Sequence, residues 1–221
     1  MPSPLSIDVF SDFVCPWCLI GTTRLEQALA AMADEVSAEV TYHPFFLDPN
    51  VPPEGVSIPD MLRKKYGADP KQLWARVEGA AKTSGIELDL SLQPLMYQTA
   101  AAHTLMRHAE PKGTQRAFAS ALFRTYFLEA KNISDASVLA DVAEQHGFTR
   151  DEALDLINAK AEQELTREAA ISAAQGGIRG VPFFVFEGRL AVSGAQSVSV
   201  LQDAIRQALA QCAPSEPPLA V

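Results

Sequence analysis

Cys15-Pro16-Trp17-Cys18 holds the side chains best suited to chemistry in this chain. Two thiols at this spacing can exchange with a substrate disulfide, or can furnish half of a tetrahedral zinc site. No second C-x-x-C and no H-x-x-x-H follows to complete four ligands, so the dithiol is read as redox chemistry and no metal is expected. The third cysteine, Cys212, sits in a Pro-rich tail and is read as a plain unpaired residue. Trp17, between the two thiols, is read as a partly exposed platform for substrate. Asp8 and Asp12 flank the first strand. Asp8 is the candidate to take a proton from Cys18, and Asp12 is read as capping the turn. His103 could line a cleft. His103 and His108 are five apart and share no helical face, and His43 and His146 have no constellation around them. Met61, Met96 and Met106 are read as core packing rather than as a binding groove.

The elements around the motif explain why those thiols would be reactive. Leu5-Ser6-Ile7-Asp8-Val9-Phe10 reads as a strand, and Leu25, Ala28, Leu29 and Met32 follow at helical spacing. The first sulfur therefore falls at a helix N-terminus, where unpaired N–H groups and the helix dipole favour thiolate over thiol. A second strand is expected over Ala38 to Leu47, bent or placed at an edge by Pro44. From about Ser57 to about Ala159 nearly all of the pattern is helical. One helix is expected just after Pro94 with Leu95, Ala102, Leu105, Met106 and Ala109 on its stripe, and another around Phe118, Leu122 and Phe123. A further helix is capped by Ser134, and Thr149-Arg150-Asp151-Glu152 forms a capping box. Val181 to Phe186 reads as a strand covered on both faces, Glu187-Gly188 as a hairpin turn and Arg189 to Val192 as the return strand, before a last helix with Val200, Leu201, Ala204, Ile205 and Leu209.

The totals bound the class of protein. A chain of 221 residues, 48% hydrophobic and 20% charged, can bury a substantial core as one domain with an insertion. A formal charge of −9 argues against nucleic-acid or anionic-membrane partners. No run approaches the roughly 20 apolar residues of a membrane helix, and Met1 to Pro4 lacks a basic signal-peptide start. A cytoplasmic location is expected, where an isolated cysteine pair is catalytic more often than structural.

The C-x-x-C between a strand and a helix, with Val181-Pro182 opening a late hairpin, resembles the thioredoxin superfamily. The helical stretch between the two halves is similar to the DsbA branch. Asp12 to Gly21, Leu122 to Phe127 with Asn132 to Asp135, and Gly180 to Phe186 with Val192 to Gln196 resemble its FrnE-like members. The resemblance implies an α/β thioredoxin fold with a large all-helical insertion. Residues 1–53 and 160–212 would form the thioredoxin domain, 54–159 the helical subdomain and 213–221 a flexible tail. It implies a cytosolic thiol–disulfide oxidoreductase in which Cys15 is an exposed nucleophile and Cys18 a buried resolving thiol. Pro182 matches the family's cis-proline, which with Val181 presents backbone to a bound peptide or glutathione; Pro16, Trp17 and His103 are the other expected substrate contacts. Thiol or disulfide substrates follow, with glutathione as a possible co-substrate, no resident cofactor, and a monomer or homodimer. Pro16-Trp17 departs from DsbA, which has a histidine within the pair, so a strongly oxidising potential is not implied. Gln98-Thr99 ahead of Ala102-His103 departs from the Asn-Thr pair found in relatives. Two rival functions share the architecture. One is a glutathione-dependent isomerase or transferase of the 2-hydroxychromene-2-carboxylate isomerase and kappa-class type, which typically carries serine at the reactive position. The other is a redox-silent binding module or chaperone.

Overall fold

The computed structural model describes residues 4–212; the tail expected at 213–221 lies outside them. Strand β1 (Leu5–Ser11) leads into helix α1 (Pro16–Ala31), and strand β2 (Ala38–Pro44) returns parallel to β1. A short strand β3 (Val56–Ser57), helices α2 (Ile58–Tyr66) and α3 (Pro70–Lys82), and strand β4 (Leu95–Met96) come next. They are followed by α4 (Ala100–Ala109), α5 (Gln115–Phe127), α6 (Ala136–Glu144) and α7 (Arg150–Asn158). Helix α8 (Lys160–Gln175), the hairpin of β5 (Phe183–Phe186) and β6 (Leu190–Ser193), and α9 (Val198–Cys212) complete the order. The main sheet runs β2-β1-β5-β6, with β1 parallel to β2 and antiparallel to β5. This is the mixed α/β architecture that the sequence pattern predicts.

Period-two alternation sorts the sheet residues onto two faces. Ile7 and Val9 pair across to Val40 and Tyr42 on one side and to Phe186 and Phe184 on the other, and all six are buried. That face lies under α1, which contributes Ile20, Leu25, Ala28 and Leu29 to the same core. Each of the larger side chains among these gains about 1.5–3 kcal/mol by leaving water. Asp8, Phe10, His43, Phe183 and Val185 occupy the opposite, half-buried face. The β5 strand is therefore not covered on both faces as expected: its burial alternates. Pro44 ends β2 at the sheet edge, where a missing N–H costs no ladder bond.

The segment between β2 and α8 is helical apart from one small sheet. Val56–Ser57 pairs antiparallel with Leu95–Met96, so the helix expected just after Pro94 starts instead at Ala100. Backbone hydrogen bonding explains the shift: the Pro94 carbonyl accepts from Ile58 N–H at 2.8 Å, and the Leu95 carbonyl accepts from the Tyr126 hydroxyl at 2.9 Å. The cap of α6 is Asp135 rather than Ser134, its carboxylate accepting from the Ser137 and Val138 N–H groups. The Thr149–Glu152 capping box opens α7 as predicted. Glu187 and Gly188 take φ of 53° and 61°, the left-handed pair that a tight two-residue hairpin requires.

Candidate active site

The turn Asp12-Phe13-Val14 ends β1 and delivers Cys15 to the N-cap of α1. Cys15 is extended (φ −94°, ψ 111°), and its N–H donates to the Asp12 carbonyl at 3.0 Å, closing the turn. Its own carbonyl accepts the first helical bonds, from Cys18 N–H at 3.0 Å and Leu19 N–H at 3.3 Å. Pro16 occupies the first helical turn, where no N–H is needed and its fixed φ suits the helix. One turn on, Cys18 points into the core and is fully buried.

Cys15 is only 3% exposed, a correction to the exposed nucleophile implied by resemblance. The reason is the chain lying over it: Cys15 Sγ sits 3.8 Å from the Val181 carbonyl oxygen. The Val181–Pro182 bond is cis, and the Pro182 carbonyl is fixed by Gly194 N–H at 2.8 Å. Gly21 makes this approach possible. A Cβ placed on it would stand 2.6 Å from Pro182 Cγ and 3.3 Å from Phe184 Cζ, so only glycine fits between helix and proline. Pro16, Trp17 and Val181 are half-buried around the dithiol, Trp17 partly packed on the core. The structure thus brings together five of the seven predicted site residues and Pro182 as the sixth.

Burial pushes the Cys18 thiol well above its ordinary value, and its hydrogen bond with Cys15 and that residue's charge add to the rise. The Asp12 carboxylate raises it further, while a backbone hydrogen bond at Asp12 opposes the shift. The Cys18 thiol is thus held neutral, one turn behind Cys15.

The carboxylate beneath the motif is Asp12, not Asp8. Strand alternation turns Asp8 onto the face away from α1, where it pairs with His43 at 2.7 Å and both side chains stay about one-third exposed. Asp12 is 1% exposed and does not cap the helix. Its Oδ2 accepts from Leu47 N–H at 2.8 Å, tying the motif to the chain beyond β2. His103, on α4, is the seventh predicted residue; it is 2% exposed and packs behind the turn that carries Cys15. Its Nε2 is 3.6 Å from Asp12 Oδ1, and its ring packs on Phe13 at 4.6 Å and Phe46 at 5.6 Å between centroids. His108 pairs instead with Glu162 at 2.9 Å, and His146 bonds the Val142 carbonyl. Met96 and Met106 are buried in the core and Met61 is half-buried.

The Gly21 approach and the Asp12–His103 contact escaped the sequence reading. A glycine three residues beyond Cys18, inside a helix, was the available signal for the first. The second joins segments far apart in the chain and leaves no local trace. Among the described residues no group of three or more His, Cys, Asp or Glu could hold a metal, and no helix is long and apolar enough to cross a membrane.

Comparison with known proteins matches residues 6–206 to the DSBA-like thioredoxin domain family. The crystal structure of a probable DsbA oxidoreductase from Streptomyces coelicolor superposes with a TM-score of 0.83 at 29% identity, covering 98% of this chain and 93% of that one. A 2-hydroxychromene-2-carboxylate isomerase superposes at 0.69 with 18% identity, over 96% and 100% of the two chains. The cytosolic disulfide reductase DsbM from Pseudomonas aeruginosa, solved with glutathione, superposes at 0.66 with 18% identity, over 93% and 100%. The last two likenesses show the fold alone.

Proposed function

We propose, for a chain that belongs to the DsbA-like thioredoxin domain family, that it is a cytosolic thiol–disulfide oxidoreductase working through Cys15 and Cys18. The observation that carries this reading is the placement of Cys15 at the N-cap of α1, 3.8 Å from the Val181 carbonyl, with Cys18 buried as a neutral thiol one turn behind. Cys15 thiolate attacks a substrate disulfide, forming a mixed disulfide and releasing one substrate thiolate. Cys18 Sγ then attacks Cys15 Sγ; the second substrate thiolate leaves with the bonding electron pair, and the Cys18 proton is given up. The enzyme dithiol is oxidised by two electrons and the substrate disulfide is reduced by two; the reverse sequence oxidises a dithiol.

A bound peptide or glutathione would lie along Val181, with Pro16 and Trp17 beside it, because these half-buried groups surround Cys15. No resident cofactor enters this scheme. A glutathione-dependent isomerase on the same fold has no use for a second thiol, and Cys18 is what ranks the oxidoreductase above it. The cytosolic assignment is supported by the isolated cysteine pair and by the reductase DsbM, a cytosolic enzyme.

The test is turnover. Purified protein should reduce insulin disulfides with glutathione or dithiothreitol as electron source, or oxidise a dithiol peptide, and Cys15→Ser should abolish both. Full activity in Cys15→Ser would overturn the reading, and isomerase turnover with glutathione retained in Cys18→Ser would put the rival in its place.

A further inference from the structure

Arg24, half-buried on the dithiol helix α1, directs its whole guanidinium at uncharged oxygen atoms. Nε donates to Ser84 Oγ at 2.8 Å, and Nη2 to the Ala80 carbonyl at 3.2 Å and Thr83 Oγ1 at 3.3 Å. Nη1 donates to the Ala195 carbonyl at 2.7 Å and the Gln196 carbonyl at 3.4 Å. The first set of partners ends α3, whose last carbonyls lack helical donors and carry the negative end of the dipole. The second set belongs to the turn after β6. That turn seats the cis-proline: Gly194, at φ 81°, donates its N–H to the Pro182 carbonyl at 2.8 Å, and Gln196 Nε2 closes the turn on the Ser193 carbonyl at 2.8 Å. Val181, just before Pro182, holds its carbonyl oxygen 3.8 Å from Cys15 Sγ. Gly21 and Arg24 are three apart on α1 and share a face. The glycine admits Pro182, and the arginine one turn on grips the turn that fixes it.

We propose that Arg24 is a positioning residue for substrate presentation: its planar fork holds the Ser193–Gln196 turn so that Gly194 fixes Pro182 and the Val181 backbone stays set over Cys15. This rests on the dithiol exchange proposed above. A peptide disulfide lying along Val181 needs that backbone at one distance from the attacking sulfur. A small electrophile that makes no backbone contact does not. Loss of Arg24 therefore acts in opposite directions on the two: it weakens capture of the peptide, and it uncovers Cys15, which is 3% exposed beneath the chain it holds. The effect falls on the turn rather than on α3. Gln27 Nε2 also donates to the Ser84 carbonyl, at 3.0 Å, so the end of α3 stays tied to α1 when Arg24 is replaced.

The test reacts reduced protein in parallel with a disulfide-bonded peptide and with iodoacetamide. In Arg24→Ala the KM for the peptide should rise about tenfold with the limiting rate nearly kept, while alkylation of Cys15 should speed up about threefold. Peptide mapping should find Cys18 unlabelled, as its complete burial in a folded protein requires. Arg24→Lys keeps the charge without the planar fork and should raise KM by only about threefold. KM and alkylation both unchanged in Arg24→Ala would overturn the proposal, and so would a loss of limiting rate at unchanged KM. Labelling of Cys18 together with Cys15 would show that Arg24→Ala does not fold; the lysine variant then decides, and an unchanged KM there overturns the proposal. Absence of any wild-type reaction with the peptide would count against the dithiol reading, and the iodoacetamide arm would still decide the placement of Arg24.

Discussion

Replacing Gly21 with alanine tests the contact that seats Pro182 against the dithiol helix. In an open helical position, Gly→Ala stabilises by about 1 kcal/mol through backbone entropy. At Gly21 the new Cβ would stand 2.6 Å from Pro182 Cγ, with Pro182 Cβ and Phe184 Cζ each at 3.3 Å. These are ring atoms that cannot swing aside, and such overpacking costs about 1–3 kcal/mol. The net expectation is a loss of about 0–2 kcal/mol. Gly79 in α3 is the internal control, because a Cβ there meets nothing within 4 Å. Gly79→Ala should gain about 1 kcal/mol and raise Tm by about 2–4 °C. Urea unfolding of both variants should therefore separate them by about 1–3 kcal/mol at unchanged m-value. Gly21→Ala should also slow thiol–disulfide exchange, since relief of the clash moves Pro182 and Val181 away from Cys15 Sγ. Equal stabilisation by the two substitutions, with exchange unaffected, would refute the close-approach argument.

Other expectations concern charge and capping. Asp8→Asn should change stability by less than about 1 kcal/mol and leave exchange rates alone, because the Asp8–His43 pair is partly exposed on the sheet face away from α1; a large fall in exchange rate would return Asp8 to the mechanism. The Cys18 thiol is raised in the folded state, chiefly by burial. Its contribution to the stability of the reduced protein is therefore complete below the unfolded value of about 8.5 and is lost as pH rises towards the folded value. Denaturation between about pH 8 and 10, below the tyrosine range, should show a steeper decline in the wild type than in Cys18→Ala. Asp135→Ala removes the α6 cap and should cost about 0.5–2 kcal/mol at neutral pH. The Asp135 carboxyl is held below its ordinary value, first by the Ser137 hydroxyl, so the cost should vanish as pH falls from about 3.9 through the lower folded value. A difference that persists in strong acid would contradict the cap.

The dithiol helix was legible because two local signals coincide at it: period-two apolar residues end at Ser11, and helical spacing begins after Cys18. Thr149–Glu152 and Glu187–Gly188 were legible for the same reason, since a capping box and a tight turn are complete within four residues or fewer. What escaped depends on partners far along the chain. Leu95–Met96 reads as the start of a helix because nothing local shows that Val56–Ser57 pairs with it. Asp8 reads as the proton acceptor because it lies within the strand. The alternation of Ile7, Asp8 and Val9 nevertheless sets Asp8 on the opposite face, a signal present in the strand itself. The burial of Cys15 could not be read from its neighbours, since the covering carbonyl comes from Val181, after the helical segment.

Trapping the mixed disulfide tests the dithiol mechanism most directly. Reduced Cys18→Ser protein is incubated with a disulfide-bonded peptide and with oxidised glutathione, and intact mass and peptide mapping locate the adduct. The mechanism predicts one stable adduct on Cys15, absent from Cys15→Ser, and an internal Cys15–Cys18 disulfide with no lasting adduct in the wild type. An adduct on Cys18, or none in Cys18→Ser under conditions where the wild type is oxidised, would contradict it.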